Sequence, residues 1–199
     1  MAEKPIIFCG GMVRAILEDR KRQSRRVVKT TKHRDYGCEL SPCEIAGEIQ
    51  RGDFRCCPYP IGTRLWVRET WRPLSDDGVP MVPDDDGALP VEYRADADFV
   101  HGHGVAWRPS MFMPRLASRI TLEVTDVRVQ RVQEITPADA KAEGDHERSG
   151  KLGYYERGAL CHVDWYRMVW DGINEKRGFG WAVNPWIWAY TFRALEVQR

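Results

Sequence analysis

Three side chains of types that perform acyl-transfer chemistry are Lys21, Ser24 and Glu143. A serine hydroxyl becomes a nucleophile when a base removes its proton, and a lysine is such a base when its pKa is lowered. The arginines around Lys21 disfavour a further positive charge, and this lowers the pKa of a lysine. A carboxylate such as Glu143 can return a proton to a leaving amine. The types of these three residues are therefore compatible with such chemistry.

The same residues also have a purely structural interpretation. Lys21 is then a phosphate contact, Ser24 a turn or cap residue, and Glu143 a helix-end carboxylate paired with an arginine. Both interpretations stay open at this point, because the sequence does not show whether the three side chains converge.

Lysines and arginines crowd residues 14–34, where Glu18 and Asp19 are the only acids. Such a local excess of positive charge indicates an anion or phosphate site, although a solvated charged helix end would have the same composition. The predicted substrate- or nucleic-acid-binding residues of this segment are Arg20, Arg22, Arg25 and Arg26.

A second mixed pattern runs from Arg64 to Trp71 and interleaves cations with large aromatic rings. Surfaces that stack bases and hold phosphates have this composition. We expect Trp66 and Arg68 to contribute to binding. The alternative is that Arg68 and Glu69 belong to a buried or rim ion pair.

Four of the six cysteines have spacings of a few residues that could suit a structural zinc ion: Cys38, Cys43, Cys56 and Cys57. Thiolates are preferred ligands of tetrahedral zinc. Ordinary reduced thiols are the alternative, because adjacent cysteines seldom bind one metal ion. No cofactor is required by the chemistry above, so zinc is the only metal that the sequence suggests.

The composition excludes several classes of protein. The chain has 199 residues with 30 Lys and Arg against 29 Asp and Glu, so nucleic acid would have to be bound by a local patch rather than by overall charge. No stretch of about 18 apolar residues is present, which argues against a membrane span. The N-terminal apolar stretch is too short for a signal peptide, so a cytoplasmic location is expected. The oligomeric state is left open.

Hydrophobic periodicity predicts helices and strands at six places. Among them are a strand with a bulge near Thr125-Asp126, a helix with a Thr136 cap that stops at Gly144, and a closing strand that is apolar on both faces. The predicted segments are 12–19, 64–71, 120–129, 136–144, 163–173 and 186–192.

Strands separated by short helices predict a compact α+β domain or a small barrel with helices at its rim. We expect one domain over residues 1–199. An acidic loop insertion over residues 73–114 and a polar loop over residues 145–160 interrupt it, and we expect both to be exposed and mobile.

Four motifs in this order resemble the ASCH family of the PUA-like superfamily, especially its longer bacteriophage and prophage forms. They are Asp19-Arg20-Lys21-Arg22-Gln23-Ser24-Arg25-Arg26, Gly62-Thr63-Arg64-Leu65-Trp66-Val67-Arg68-Glu69, Ile135-Thr136-Pro137 to Glu143-Gly144, and the closing aromatic strand. The resemblance covers about residues 4–72 and 115–196.

The resemblance implies a small β-barrel flanked by helices, with a cleft for RNA or a nucleobase. It also implies that Glu69 lies near this cleft and contributes to binding. Similar small domains hydrolyse an acyl group from N4-acetylcytidine, and others cut single-stranded RNA. Their Gly-x-Lys-x-x-Thr motif and a later glutamate fall on Lys21, Ser24 and Glu143, so the resemblance implies that these three residues are the candidate catalytic groups. The sequence departs from that motif at two positions, since serine replaces threonine and Asp19 replaces the glycine.

Three hypotheses about function follow. The first is an amidohydrolase acting on a modified nucleoside, or a ribonuclease. The second is a non-catalytic module that binds RNA or modified DNA. The third is a phage assembly or host-interaction protein that uses the acidic insertion as its partner surface.

Overall fold

A computed structural model describes residues 3–33, 35–74, 90–96, 105–145 and 162–197. The described chain has four α-helices and nine β-strands. The helices are α1 Gly10–Leu17, α2 Pro42–Gln50, α3 Pro137–Ala142 and α4 His162–Asn174. The strands are β1 Glu3–Ile7, β2 Gln23–Val27, β3 Thr31–Lys32, β4 Glu39–Leu40, β5 Arg64–Arg68, β6 Trp71–Pro73, β7 Val91–Tyr93, β8 Ile120–Arg131 and β9 Trp186–Val197.

Five strands form the main sheet in the order β1-β5-β8-β9-β2, and β3-β4 and β6-β7 form two-stranded sheets. The pair β1-β5 is parallel, whereas β5-β8 and β2-β9 are antiparallel. The described strands do not close into the predicted barrel, because β1 and β2 stand at the two ends of the order. The α+β class is confirmed and the closed barrel is not.

The chain divides into two compact units. Unit 1 consists of Met1–Glu18, Thr63–Glu123 and Ala194–Arg199. Its apolar residues include a cluster of Trp71, Met113 and Ala117, which are at most 2% exposed. The antiparallel pair β6-β7 carries Trp71 and brings Val91 and Tyr93 against this cluster.

Unit 2 consists of Asp19–Gly62 and Val124–Arg193. Helices α3 and α4 pack on β9 there, and their apolar faces bury Ala140, Tyr166 and Trp170 against Ile187 and Ala189. This packing fixes the end of α3 next to β2, which matters for the site below.

Several predicted elements are confirmed for local physical reasons. Thr136 Oγ1 accepts the Asp139 backbone N–H at 3.1 Å, so α3 begins at the predicted cap. Gly144 ends it in the left-handed region with φ +105. Along β8 the exposed pair Thr125-Asp126 lies between buried Val124 and Val127, which is the change of phase predicted there.

Part of the loop insertion predicted over residues 73–114 has regular secondary structure. Strand β7 and the turn Ser110–Phe112 are ordered elements within it, and Met113 is buried. Residues 75–89 and 97–104 of that insertion lie outside the described residues, as does the polar loop apart from Asp145. Within the described part of the chain, no helix is long and apolar enough to cross a membrane.

Candidate active site

Lys21 and Glu143 are brought together by backbone pairing between the start of β2 and the end of α3. The two residues form an isolated antiparallel bridge, and the Arg22 N–H donates to the Ala142 carbonyl at 2.7 Å. Asp19, which stands where the resembling motif has glycine, has a φ of 56. Aspartate tolerates this left-handed conformation better than most residues. The turn that leads into Lys21 therefore keeps the conformation in which glycine is favoured.

The side chains of Lys21 and Glu143 are in direct contact. Lys21 Nζ donates to Glu143 Oε2 at 2.6 Å and to the Glu143 backbone carbonyl at 3.0 Å. The Lys21 side chain is 0% exposed and that of Glu143 is 5% exposed. Charged groups buried to this degree require paired, hydrogen-bonded partners, and this pair meets that requirement.

Arg25 extends the pair into a buried network. Its Nη1 donates to Glu143 Oε1 at 2.9 Å, and its Nη2 lies 3.3 Å from Asp139 Oδ2. Asp139 also accepts a hydrogen bond from Arg128 at 3.0 Å. The guanidinium of Arg25 is 5.6 Å from the centre of the Tyr166 ring. Three cations and two carboxylates of unit 2 thus meet beside one aromatic ring.

The network shifts the proton affinity of its members. Burial lowers the pKa of Lys21, the carboxylate of Glu143 opposes this, and Arg26 and Arg25 lower it further. Neighbouring arginines thus contribute as the sequence predicted, but burial is the largest cause. Burial and the charge of Glu143 both hold the pKa of Tyr166 well above its usual range.

Asp139 shows the opposite balance. Burial alone would raise its pKa, but hydrogen bonds from Arg128 and Gln23 and the charge of Arg25 lower it to about 2. Asp139 is therefore a fixed negative charge that holds Arg25 in place.

Ser24 does not share this environment. It lies on β2 opposite Tyr190 of β9. Side chains alternate along a strand, so Ser24 faces away from its neighbours Gln23 and Arg25. The structure thus joins Lys21 with Glu143 and leaves Ser24, the predicted nucleophile, on the other face of the strand.

The predicted anion-binding arginines are partly engaged within the protein. Arg20 Nη1 donates to the Gly144 carbonyl at 2.7 Å, and Arg22 forms an exposed pair with Asp19. Arg25 is buried in the network, and Arg26 is half-buried opposite Trp188. Much of the positive charge of the segment is therefore neutralised locally, which the composition did not indicate.

The predicted binding residues of unit 1 are Trp66, Arg68 and Glu69. The Arg68 guanidinium lies 4.5 Å from the centre of the Trp66 ring and donates to the Met111 carbonyl at 3.1 Å. Glu69 is 1% exposed and accepts from Arg119 at 2.9 Å and 3.1 Å. Glu69 therefore belongs to a buried ion pair, which was the alternative to a binding role in the sequence analysis, and its partner is Arg119.

The structure does not support zinc at the four predicted cysteines. Cys38 and Cys43 are exposed, whereas Cys57 is buried with its Sγ 4.0 Å from the Tyr190 hydroxyl. Among the described residues, no group of three or more His, Cys, Asp or Glu side chains could hold a metal ion. These cysteines are close in sequence, but the fold does not bring their thiols into one coordination sphere.

Four members of the site escaped sequence reasoning in this role: Gln23, Arg128, Asp139 and Tyr166. Asp139 was visible only as a helix-capping residue, and Tyr166 only as an apolar position of α4. The acid at the third position of the capped helix is the one local sequence signal for this site, and it concerns Asp139 alone.

The chain was compared with known families, proteins and structures. No family model and no curated protein matches the chain. This chain is similar in structure to an ASCH domain. The matching crystal structure, from Lactobacillus crispatus, has a TM-score of 0.43 and 13% identity, over 98% of this chain and 80% of that chain.

A crystal structure of an Enterococcus faecalis protein of the family DUF984 also matches, with a TM-score of 0.39 and 8% identity over 94% of this chain and 67% of that chain. At these identities and scores, the assignment of the site rests on the contacts of this chain alone.

Proposed function

We propose that this protein hydrolyses an amide-linked acyl group on a nucleoside or nucleobase at the Lys21–Glu143 pair. The observation that carries the proposal is the 2.6 Å contact between these buried side chains, with burial lowering the pKa of Lys21. Buried ion pairs add little net stability, because desolvation offsets their attraction. A buried pair with a perturbed proton affinity is typical of an acid–base site.

Glu143 is the member of the pair that touches the substrate in this proposal, because Lys21 is fully covered. Lys21 is a positioning residue: its Nζ holds both the backbone carbonyl and Oε2 of Glu143, and it can exchange a proton with that carboxylate. The proton shared by the two groups is available to the leaving amine.

The substrate class comes from the resemblance described above, in which the lysine and glutamate of similar domains act on N4-acetylcytidine. The residues of this chain are compatible with a polar, uncharged amide. The charges of Asp139 and Arg128 already pair with each other in the network, and Arg25 pairs with Glu143. A neutral ligand would not have to break these ion pairs.

The test is incubation of the purified protein with N4-acetylcytidine, with acetate and cytidine measured by mass spectrometry. We expect acetate release by the wild type and a loss of about 100-fold or more in Glu143→Gln, the usual contribution of an acid–base group. Glu134→Gln, which changes an exposed glutamate, is the matched control. Thermal melting of each variant verifies that it is folded.

Acetate release at the wild-type rate by Glu143→Gln would refute the role of the pair. Absence of release by the wild type would refute the proposed hydrolysis of this substrate. A labelled single-stranded RNA incubated in parallel tests strand cleavage as the other reaction of similar domains.

A non-catalytic nucleic-acid-binding module is the second candidate. Its support is the position of Ser24 away from the pair and the complete burial of the Lys21 side chain. Fluorescence anisotropy with single-stranded RNA and DNA of the same sequence tests this candidate. Binding of either probe, with neither acetate release nor strand cleavage, would favour it over the hydrolase.

A further inference from the structure

A second acid–base pair lies in unit 2 and joins Asp145 to His162. Asp145 Oδ2 is 2.6 Å from His162 Nδ1. The Asp145 side chain is 0% exposed, whereas that of His162 is 33% exposed. One partner is therefore fixed in the interior and the other reaches the surface.

This pair borders the Lys21–Glu143 pair. Asp145 follows Glu143 by two residues, and Arg20 binds the carbonyl of the intervening Gly144 at 2.7 Å. These contacts fix the backbone between the two carboxylates.

The helix α4 provides a second connection between the two pairs. His162 and Tyr166 are four residues apart on α4 and so lie on one face of the helix, a single turn from each other. The ring of Tyr166 faces Arg25, which binds Glu143. His162 is therefore connected to Glu143 in two ways: through Asp145 and the backbone at Gly144, and through α4, Tyr166 and Arg25.

The geometry of the Asp145–His162 pair selects one form of the imidazole. A buried carboxylate beside Nδ1 favours the tautomer in which Nδ1 carries the proton. The Nδ1–H group then donates a hydrogen bond to the carboxylate. The other ring nitrogen, Nε2, is then an acceptor and can remove a proton from water. The sequence did not indicate this pair, because 17 residues separate its members.

We propose that His162, oriented by Asp145, is the catalytic base that activates water at this site. The inference rests on the hydrolysis proposed above and assigns its nucleophile: water takes the place that the family resemblance gives to Ser24. Ser24 faces the other side of β2, which is consistent with this assignment.

The proposed step is balanced as follows. His162 Nε2 takes a proton from water, and the water oxygen bonds to the acyl carbon. The bond from that carbon to the amide nitrogen then breaks, and the nitrogen takes the proton shared by Lys21 and Glu143. The acyl group leaves as a carboxylic acid, and the proton on His162 returns through solvent to the Lys21–Glu143 pair.

The experiment compares four forms of the full chain with N4-acetylcytidine: wild type, His162→Gln, Ser24→Ala and His33→Gln. His33 is a matched control, since its Nδ1 accepts backbone N–H groups at 3.1 Å and 3.3 Å elsewhere in unit 2. We expect His162→Gln to lose about 100-fold or more of the turnover rate, and His33→Gln to retain it. Circular dichroism melting verifies folding.

Asp145 is a positioning residue that acts through His162. Its test therefore includes a measurement of the imidazole tautomer, which a general loss of stability would not change. Nitrogen-15 NMR identifies the tautomer of His162, whose signals are assigned by their loss in His162→Gln. We expect an unprotonated Nε2 in the wild type and a changed tautomer in a folded Asp145→Asn, together with a loss of turnover.

Two results would overturn the inference and leave the proposed function standing. One is turnover that His162→Gln retains at the wild-type rate. The other is turnover that a folded Ser24→Ala loses, which would assign the nucleophile to the serine. Absence of turnover in the wild type would overturn the proposed function and this inference together.

Discussion

Replacement of Lys21 by methionine removes one charge of the buried pair and keeps an unbranched side chain in its place. Glu143 then loses its 2.6 Å partner and stays 5% exposed. Removal of one partner from a buried ion pair costs about 3–5 kcal/mol of stability, because the remaining charge is desolvated without compensation. Arg25 still binds the other carboxylate oxygen at 2.9 Å. We therefore expect the lower end of that range, about 3 kcal/mol.

A loss of this size is easily measured. Urea unfolding at neutral pH gives the free energy of unfolding for wild type and Lys21→Met, and an unchanged slope verifies that both unfold to a similar extent. For a chain of this length we expect a decrease in melting temperature of about 6–12 °C. The matched control is Lys29→Met, an exposed lysine two residues after β2. Its effect should stay within about 0.5 kcal/mol.

The pH dependence of the same two proteins gives an independent measurement. Burial lowers the pKa of Lys21 below the 10.5 of a free lysine side chain, so the folded protein releases this proton at a lower pH than the unfolded chain does. Between those two pKa values the unfolded state binds more protons, and the free energy of unfolding rises with pH. We expect this rise in the wild type and its absence in Lys21→Met.

One outcome would refute the reasoning. If Lys21→Met and Lys29→Met destabilise the protein equally, then Lys21 is solvated in solution and the buried pair does not exist there. The proposed chemistry of Glu143 would lose its basis as well, since a solvated lysine would not hold the carboxylate in one position.

Three further perturbations test the surrounding structure. Arg119→Met leaves Glu69 buried without its guanidinium partner, so the free energy of unfolding measured in urea should fall by about 3 kcal/mol. The control Arg115→Met breaks an exposed ion pair and should lower it by at most about 1 kcal/mol. The pKa of Asp139 is lowered to about 2, so its contribution to stability is complete above 3.8, the pKa of a free aspartate, and is lost as the pH falls through about 2. An acid titration of Asp139→Asn should lack this loss. Thr136→Ala removes the cap of α3 and should lower the free energy of unfolding by about 1 kcal/mol, measured by the same urea titration.

The elements that the sequence predicted are those determined by neighbouring residues. Helix α3 carries its start and stop signals within nine residues, from Thr136 to Gly144. Strand β9 is apolar on both faces and is buried on both from Ile187 to Tyr190. Helix α2 went unrecognised although Ser41 and Glu44 form a capping box, a signal that its sequence does contain.

Strand β2 could not be predicted in the same way. Its residues Gln23-Ser24-Arg25-Arg26 are those of a solvated segment, yet Ser24 and Arg25 are buried. The burial of Arg25 is compensated by Asp139 and Glu143, which lie more than 110 residues away in the sequence. Composition and periodicity do not reveal partners this distant in sequence, so the charged segment was expected at the surface. Only the family resemblance linked it to Glu143.

Asp139 explains why this long-range site forms at all. Its carboxylate lies 3.4 Å from the Thr136 N–H within the capping box of α3, and it also pairs with Arg25 of β2. The two roles use one side chain, so the cap that starts the helix also fixes its distance from the strand. Glu143 ends the same six-residue helix and is thereby held at a set position beside Lys21. A short helix whose first and last turns both bind β2 is a rigid support, which is what an acid–base site requires.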